Sequence, residues 1–243
     1  MNAIDPNVTV GELVAQRPAR SRVFEVLGID FCCGGKRPLR EACAAKGLDA
    51  ATVATMLAAL ESGGPAQDGA DWTAATMTAL CDHIEATHHA YLRAELPRLA
   101  AMVRKVVDAH AERDGRLREL HAVFHAFTQE LASHMMKEEQ VLFPIVRAIE
   151  SGDTDPRHCG SVRNPIGVME HEHDQAGLAL ARMRELTSDY TPPADACNTW
   201  RALLDGLREL EQDMHQHVHK ENNILFPRAA EAEGVMAAVA RRD

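Results

Sequence analysis

The chain contains HMMKEEQVLFP at residues 134–144 and a second copy, HVHKENNILFP, at residues 217–227. Both copies fit the frame H-x-x-K-E-x-x-x-L-F-P without a gap. Residues four positions apart on an α-helix lie on the same face, so His134 pairs with Glu138, and His217 pairs with Glu221. One imidazole and one carboxylate per helix suit a borderline metal such as iron or manganese. The proline that closes each copy should kink or end its helix.

Each copy is preceded, at nearly the same distance, by a further histidine. His89 lies upstream of His134, and His173 lies upstream of His217. We therefore interpret this part of the chain as two helix pairs, each with one histidine on the first helix and the His-Glu pair on the second. Four histidines and two glutamates are enough to hold two metal ions with bridging carboxylates. Four-helix bundles build such sites from facing helices.

The spacing of the upstream histidines leaves two positions open. His88 fits the repeat as well as His89 does, because both spacings suit a helix hairpin. His171 competes with His173, and two residues separated by two positions on a helix cannot both point inward.

Other polar residues near the motifs fall into two groups. His215 and His219 flank His217 at about 200° around the helix, so they should face elsewhere. A ligating histidine needs a second hydrogen-bond partner that fixes its orientation. Acids close enough in sequence to serve are Glu130, Glu172 and Asp174.

The composition indicates a mostly helical protein of the all-α class. The chain has 243 residues, of which 46% are hydrophobic and only 4% aromatic, so an aliphatic helical core is expected. The net charge of −10 argues against nucleic acid and against an anionic membrane surface as partners. We find no apolar run of the roughly 18 residues that a membrane span needs, and the N-terminus does not resemble a secretory signal.

The order of patterns along the chain predicts two domains. Residues 1–60 should form a small helical domain, with Thr9 and Glu12 as a capping box. The Gly-rich stretch at 61–71 reads as a linker. Residues 72–243 should form an up-down-up-down four-helix bundle, with an irregularity near Pro97 and a break near Pro227.

The adjacent pair Cys32-Cys33 lies in a Gly-rich turn of the N-terminal domain. Lys36 and Arg37 follow closely, and nearby cations lower the pKa of a thiol. We therefore predict a redox, metal or cluster-handling role for the pair, in place of two buried structural cysteines.

Taken together, these segments resemble the RIC (repair of iron centres) family. The resemblance rests on both copies of the repeat, on MEHEHDQAG at 169–177, on TPPADACNTW at 191–200 and on the FCCGG turn at 31–35. Members of this family pair an N-terminal ScdA-type domain with a hemerythrin-like domain. The resemblance covers nearly the whole chain and implies two non-haem iron ions, bridged by carboxylates and an oxo group, in a four-helix bundle.

The resemblance also implies roles for individual residues. Leu96-Pro97 matches the segment after the family's first ligand, which favours His89 over His88, and MEHEHD places the third ligand at His173. The implied metal ligands are His89, His134, Glu138, His173, His217 and Glu221. An oxygen-carrying hemerythrin would bring more histidines to its metals, so four leave the irons more open to small ligands.

Two further pairs match the family. Glu130 and Glu172 resemble the acids that line access to the metals, and Cys32 and Cys33 match the family's cysteine pair.

The implied function is the repair of iron–sulfur clusters damaged by nitric oxide or oxidants, in the bacterial cytoplasm, by iron donation, NO handling or both. The expected partners are damaged iron–sulfur proteins, with NO or O₂ as small ligands and a homodimer as the candidate assembly. The alternatives are a di-iron nitric oxide reductase that makes nitrous oxide and an NO-binding buffer or sensor. The residues alone do not choose among these three.

Overall fold

The computed structural model describes residues 4–60, 71–152 and 160–239, and helices dominate these ranges. The α-helices are α1 (Val10–Gln16), α2 (Ser21–Leu27), α3 (Leu39–Ala45), α4 (Ala50–Ala59), α5 (Met77–Ile84), α6 (Ala90–His110), α7 (Arg116–Lys137), α8 (Phe143–Glu150), α9 (Arg163–Leu186), α10 (Asn198–Lys220) and α11 (Phe226–Val239). The described ranges contain no strand beyond one isolated bridge between Thr9 and Pro38. The all-α prediction is confirmed.

Residues Cys81–Met214 form one compact unit, called the central unit below. In it, α7 and α9 pack against each other in opposite directions. Glu119, near the start of α7, accepts a hydrogen bond from Arg182, near the end of α9. His134, near the end of α7, lies 3.0 Å from His173, in the first half of α9.

Helix α6 runs antiparallel to α7 and to α10. A short connection at residues 111–115 joins α6 to α7, and the two helices pack side by side. His88, just before α6, lies 2.8 Å from Asp213 in the second half of α10, whereas Leu99 lies against Gly206, earlier in α10. The four helices therefore alternate in direction, and the prediction of an up-down-up-down bundle is confirmed.

Predicted metal ligands occupy core positions of these helices. One stripe of α7 is buried at helical spacing, and the stripe continues into the turn that follows the helix. Its members are Leu117, Leu120, Phe124, Phe127, Leu131, His134 and Glu138. His173 holds the same kind of position on α9, among Met169 and Leu180. Polar side chains at positions that otherwise carry apolar ones must find partners in the core.

Within the described ranges, wide π-helical turns occur at three places, Glu85–His89, Glu138–Leu142 and Glu221–Leu225. The last two begin at the glutamate of each repeat copy. The amide of Phe143 donates to the carbonyl of Glu138, and that of Phe226 donates to the carbonyl of Glu221, five residues back in both cases. The two copies thus share a backbone distortion as well as a sequence frame, and such turns are frequent at functional sites.

The prolines do not end the helices, contrary to the sequence-based expectation. Pro144 and Pro227 follow the π-turns and lie in the first turn of α8 and α11, where a missing amide hydrogen costs little. Helix α6 also passes through Pro97 without interruption. The irregularity expected there lies instead at the turn Glu85–His89.

The second compact unit, called the terminal unit below, combines Met1–Leu80 with His215–Asp243. Its helices α1 to α4 surround an aliphatic core with two phenylalanines, and the capping box of Thr9 with Glu12 is present as predicted. The principal core residues are Val10, Leu13, Val14, Phe24, Ile29, Phe31, Leu39, Val53 and Leu57. The predicted domain limits of 1–60 and 72–243 stay a prediction, and residues 61–70 of the predicted linker lie outside the described residues.

No helix of the described ranges is both long enough and apolar enough to cross a membrane.

Gly206→Leu should destabilise the central unit. A Cβ at Gly206 would lie 2.7 Å from Leu99 Cδ2, and overpacking of a buried contact costs about 1–3 kcal/mol. The melting temperature should fall by about 2–4 °C for each kcal/mol. Gly167→Ala is the matched control, because Gly167 faces open space on α9 and alanine favours the helix by about 1 kcal/mol. Thermal unfolding followed by circular dichroism measures both, and an unchanged midpoint for Gly206→Leu would contradict the packing argument.

Candidate metal centre

Three predicted ligands converge in the core of the central unit. His134, Glu138 and His173 each offer one ligand atom, and these atoms lie within 4.8 Å of one another. The side chains are almost fully excluded from solvent. His134 Nε2 lies 3.3 Å from Glu138 Oε1 and 3.0 Å from His173 Nε2.

His89 reaches the same carboxylate from the other side. Its Nε2 lies 3.2 Å from Glu138 Oε2, whereas His134 faces Oε1. The two oxygens of Glu138 therefore face two different histidines.

Outer carboxylates orient two of these histidines. His89 Nδ1 donates to Glu139 Oε1 at 2.7 Å, and His134 Nδ1 donates to Glu172 Oε2 at 2.9 Å. Because the proton is on Nδ1, Nε2 presents a lone pair toward Glu138. Converging imidazole and carboxylate lone pairs form a donor set that suits a cation such as iron or manganese, and carboxylates behind metal-bound histidines are the usual arrangement.

Both outer carboxylates are held in the ionised form. Burial alone would raise the pKa of Glu139, but hydrogen bonds from Arg93 and His89 outweigh it and place the pKa below its usual value. Burial likewise opposes the shift at Glu172, where bonds from Lys137 and His134 lower the pKa. Glu172 was one of the acids expected from the sequence, whereas Glu139 was missed.

The second copy of the repeat carries its own pair in the terminal unit. His217 Nε2 lies 3.0 Å from Glu221 Oε1, and both side chains are fully buried. The pair spans the end of α10 and the start of its π-turn, as His134 and Glu138 do at the end of α7.

The structure separates the alternative histidines. His88 is buried but turns to Asp213, with its Nδ1 2.8 Å from Asp213 Oδ1, whereas His89 faces Glu138. His171 is exposed and His173 is buried. These contacts favour His89 and His173 as ligands.

His215 and His219 face away from the Glu221 pair, as expected, and contact the N-terminal segment. Their rings lie 6.0 and 5.7 Å from the ring of Phe31, centroid to centroid. Burial lowers the pKa of His219 to about 4, so this ring is neutral near pH 7.

A cavity of about 320 Å³ reaches His134 and His173 within the central unit. Glu130 and Glu172 both line it, as does Lys137, which binds Glu172. The cavity offers room for a small molecule beside two predicted ligands, and it brings the two acids that the family resemblance suggested to one opening.

Cys32 and Cys33 lie in the loop between α2 and α3, where Cys32 is buried and Cys33 is partly exposed. Cys32 Sγ donates to Asp30 Oδ1 at 3.2 Å. A hydrogen bond with Cys33, burial, and the charges of Cys33 and Asp30 together raise the pKa of Cys32 well above its usual value. The expectation that Lys36 and Arg37 lower the thiol pKa is therefore wrong for Cys32, because the hydrogen bond with Cys33, burial and the charge of Asp30 all raise this pKa.

Comparison with known proteins agrees with this architecture. A family model described as the hemerythrin HHE cation-binding domain matches residues 82–229, and the ScdA_N model, described as a domain of unknown function, matches residues 6–61. A protein of Edwardsiella ictaluri named iron–sulfur cluster repair protein YtfE is 44% identical over 90% of this chain and 95% of its own length. Proteins of the same name from Musicola paradisiaca and Escherichia coli O157:H7 are each 39% identical, over 93% and 92% of this chain and 97% of their own lengths.

Proposed function

Since the chain belongs to the iron–sulfur cluster repair family, which joins an ScdA-type domain to a hemerythrin-like domain, we propose that it repairs damaged iron–sulfur clusters and holds two iron ions for this purpose. The cation-binding domain accounts for the binding of a metal. The identity of the metal as iron, the number of ions and the ligand set are parts of the proposal.

The proposed ligand set has four histidines and two glutamates. Its members are His89, His134, Glu138, His173, His217 and Glu221. The observation that carries the proposal is the placement of Glu138, whose two oxygens lie 3.2 and 3.3 Å from the Nε2 atoms of two different histidines. The same buried His-Glu pairing at His217 and Glu221, on the same kind of turn, supports a second carboxylate with the same role.

Bound iron would supply redox chemistry between the ferrous and ferric states, a binding position for NO or O₂, and ions that a client protein could take up. The chain contributes the rest. Glu139 and Glu172 hold the rings of His89 and His134 with Nε2 toward Glu138, where both nitrogens would be available to a metal. The cavity lined by Glu130 and Glu172 gives a small ligand access to His134 and His173. Cys32 and Cys33 would contact the client or the damaged cluster.

The proposed partners are damaged iron–sulfur proteins, with NO or O₂ as small ligands. The homodimer and the cytoplasmic location stay predictions. A small-molecule cavity at the metal ligands also favours a second candidate, NO reduction, and this candidate predicts nitrous oxide as a product under anaerobic turnover with a reductant and NO. Gas chromatography detects it, and NO bound without turnover would instead indicate a buffer or sensor.

The test of the main proposal uses the full chain purified without added metal. It should contain about two irons per chain, as di-iron bundles do. It should restore the activity of an NO-damaged iron–sulfur dehydratase in an anaerobic mixture, whereas the chelator-treated chain should restore little. A preparation with no iron, or an iron-loaded chain that leaves the damaged enzyme inactive, would contradict the proposal.

Glu172→Gln should weaken iron binding by about 10- to 100-fold, because the neutral amide orients His134 less well and no longer raises its basicity. A competition titration with a ferrous chelator measures the change. Asp174→Asn is the matched control, since Asp174 is exposed and lies two residues after Glu172 on the same helix. The iron affinity of this variant should equal that of the unmodified chain. Equal affinity in both variants would remove Glu172 from the outer shell of the site.

A further inference from the structure

The π-turn of the second repeat copy, Glu221–Leu225, carries different contacts on two sides of the backbone. On one side Glu221 pairs with His217, both fully buried. Two residues further on, Asn223 faces the loop that holds the cysteine pair. One short turn of the terminal unit therefore joins a proposed metal ligand to the Cys32-Cys33 loop.

Asn223 binds the backbone of that loop directly. Its Nδ2 donates to the carbonyl of Cys32 at 3.0 Å and lies 3.3 Å from the carbonyl of Phe31. Gln140 holds the equivalent position in the first copy of the repeat and is exposed. The two copies thus share the metal-facing residues and differ at the position that touches the cysteine loop.

The surrounding backbone is shaped around the Asn223 side chain. A Cβ at Gly35 would lie 2.1 Å from Asn223 Oδ1, and one at Gly11 would lie 2.3 Å from the same atom. Neither glycine can carry a side chain without moving this amide. The amide of Gly11 also donates to the carbonyl of Gly35 at 2.9 Å. Helix α1 and the cysteine loop are therefore hydrogen-bonded to each other where both contact Asn223.

The loop is ordered on its other side by Asp30 and Phe31. Asp30 accepts from the amides of Cys32 and Gly34 at 3.0 and 2.8 Å. The ring of Phe31 is buried and stacks on Phe24 with 6.3 Å between centroids. Because these contacts keep the loop ordered, a change in the position or order of Asn223 should also change the position of Cys32.

We propose that Asn223 is a positioning residue that couples metal binding at Glu221 to the exposure of Cys32. The inference rests on the metal site proposed above. Cys32 is only 6% exposed, so a reagent reaches its sulfur through local opening of the loop. A metal ion that fixes Glu221 orders the π-turn, and Asn223 passes this order to the loop, so the loop opens less often when iron is bound.

The coupling is reciprocal, because a binding linkage acts equally in both directions. A modification that holds the Cys32 loop open must weaken iron binding, because bound iron favours the closed loop and linkage between the two equilibria is mutual. In cluster repair this would let engagement of the cysteines by a client favour release of iron.

The test is the rate at which iodoacetamide alkylates Cys32 in the full chain, with and without iron, followed by peptide mapping that separates Cys32 from the other cysteines. Iron should slow the reaction of Cys32 by about fivefold or more, the lower range of ordinary allosteric couplings. In Asn223→Ala the sulfur of Cys32 should react fast both with and without iron, so the ratio of the alkylation rate without iron to the rate with iron should approach one. Gln140→Ala, at the equivalent position of the first copy, should keep the ratio of the unmodified chain.

Asn223→Asp serves as a second variant, because it keeps the size of the side chain but replaces the donor with an acceptor that faces two carbonyls. Its ratio should also approach one while iron content stays normal, which shows that the variant is folded. Equal alkylation rates with and without bound iron in the unmodified chain would overturn the inference and leave the metal site intact. Iron that never binds would instead overturn the proposed function, and the coupling with it.

Discussion

Glu138→Gln should abolish stable iron binding and yet raise the thermal stability of the metal-free chain. The two oxygens of Glu138 face the Nε2 atoms of His89 and His134, whose protons are on Nδ1. Without metal, lone pairs face a buried carboxylate, which is costly. The amide of glutamine donates to one of these nitrogens and removes the charge, so the metal-free chain should gain about 1–3 kcal/mol.

When iron is present, the unmodified chain should instead be more stable than the glutamine variant. The unmodified chain gains stability from the metal, because a ligand that binds only the folded state stabilises it. The glutamine variant should gain little, and its iron content should fall at least tenfold. Melting curves with and without iron, together with iron analysis, measure both effects. Asp108→Asn is the charge-matched control on the exposed face of α6 and should change neither quantity. A glutamine variant that keeps its iron would show that Glu138 is not a metal ligand, and one that melts lower without metal would contradict the predicted cost of the buried carboxylate.

Replacing Cys32 and Cys33 by serine should remove cluster repair while iron binding stays unchanged. The pair lies in the α2–α3 loop, whereas the proposed ligands lie on α7, α9 and α10 and in the three π-helical turns. Of the two, Cys33 should matter more for direct reaction, because it is partly exposed. Its hydrogen bond with Cys32, the burial of Cys32 and the charge of Asp30 raise the pKa of Cys32 and keep that thiol protonated.

The measurement is the recovery of an iron–sulfur enzyme in cells exposed to NO, with the chain as the only repair protein supplied. We expect recovery with the double-serine variant to fall to the level of cells without the protein. Cys33→Ser alone should cause most of the loss. Cys197→Ser, which removes an exposed thiol elsewhere, should repair normally. Full recovery with the double variant would leave the cysteine pair without a part in repair.

The repeated motif allowed the ligand helices to be predicted because helical geometry alone decides which side chains share a face. His134 with Glu138 and His217 with Glu221 follow from a spacing of four, and the structure places both pairs in contact. The choice of His89 over His88 did not follow from spacing, since both fit a helix hairpin, and burial does not separate them either, since both histidines are buried. It depends on which acid each ring meets on another helix.

Contacts between distant segments account for what the sequence did not reveal. Glu139 contacts His89 from a different helical segment. The residues next to Glu139 in the sequence do not distinguish it from an ordinary exposed glutamate. Asn223 and Gln140 hold equivalent positions in the two copies of the repeat, but the cysteine loop folds against Asn223, whereas Gln140 is exposed. The π-turns were missed for another reason, because residue propensities describe regular helices and carry no signal for a backbone hydrogen bond that is one residue longer.

The π-turns also limit how this protein can change in evolution. Each turn holds one residue more than a regular helical turn, so deleting one residue between Glu138 and Phe143 would restore a regular helix. Because the wide turn absorbs the extra residue, Phe143 and Val146 would keep their buried faces after the deletion, whereas the side chains inside the turn would change face. The turn carries Glu138 and the contact of Glu139 with His89, so the length of the eleven-residue frame should be constrained by these side chains and not by the packing of the helix that follows.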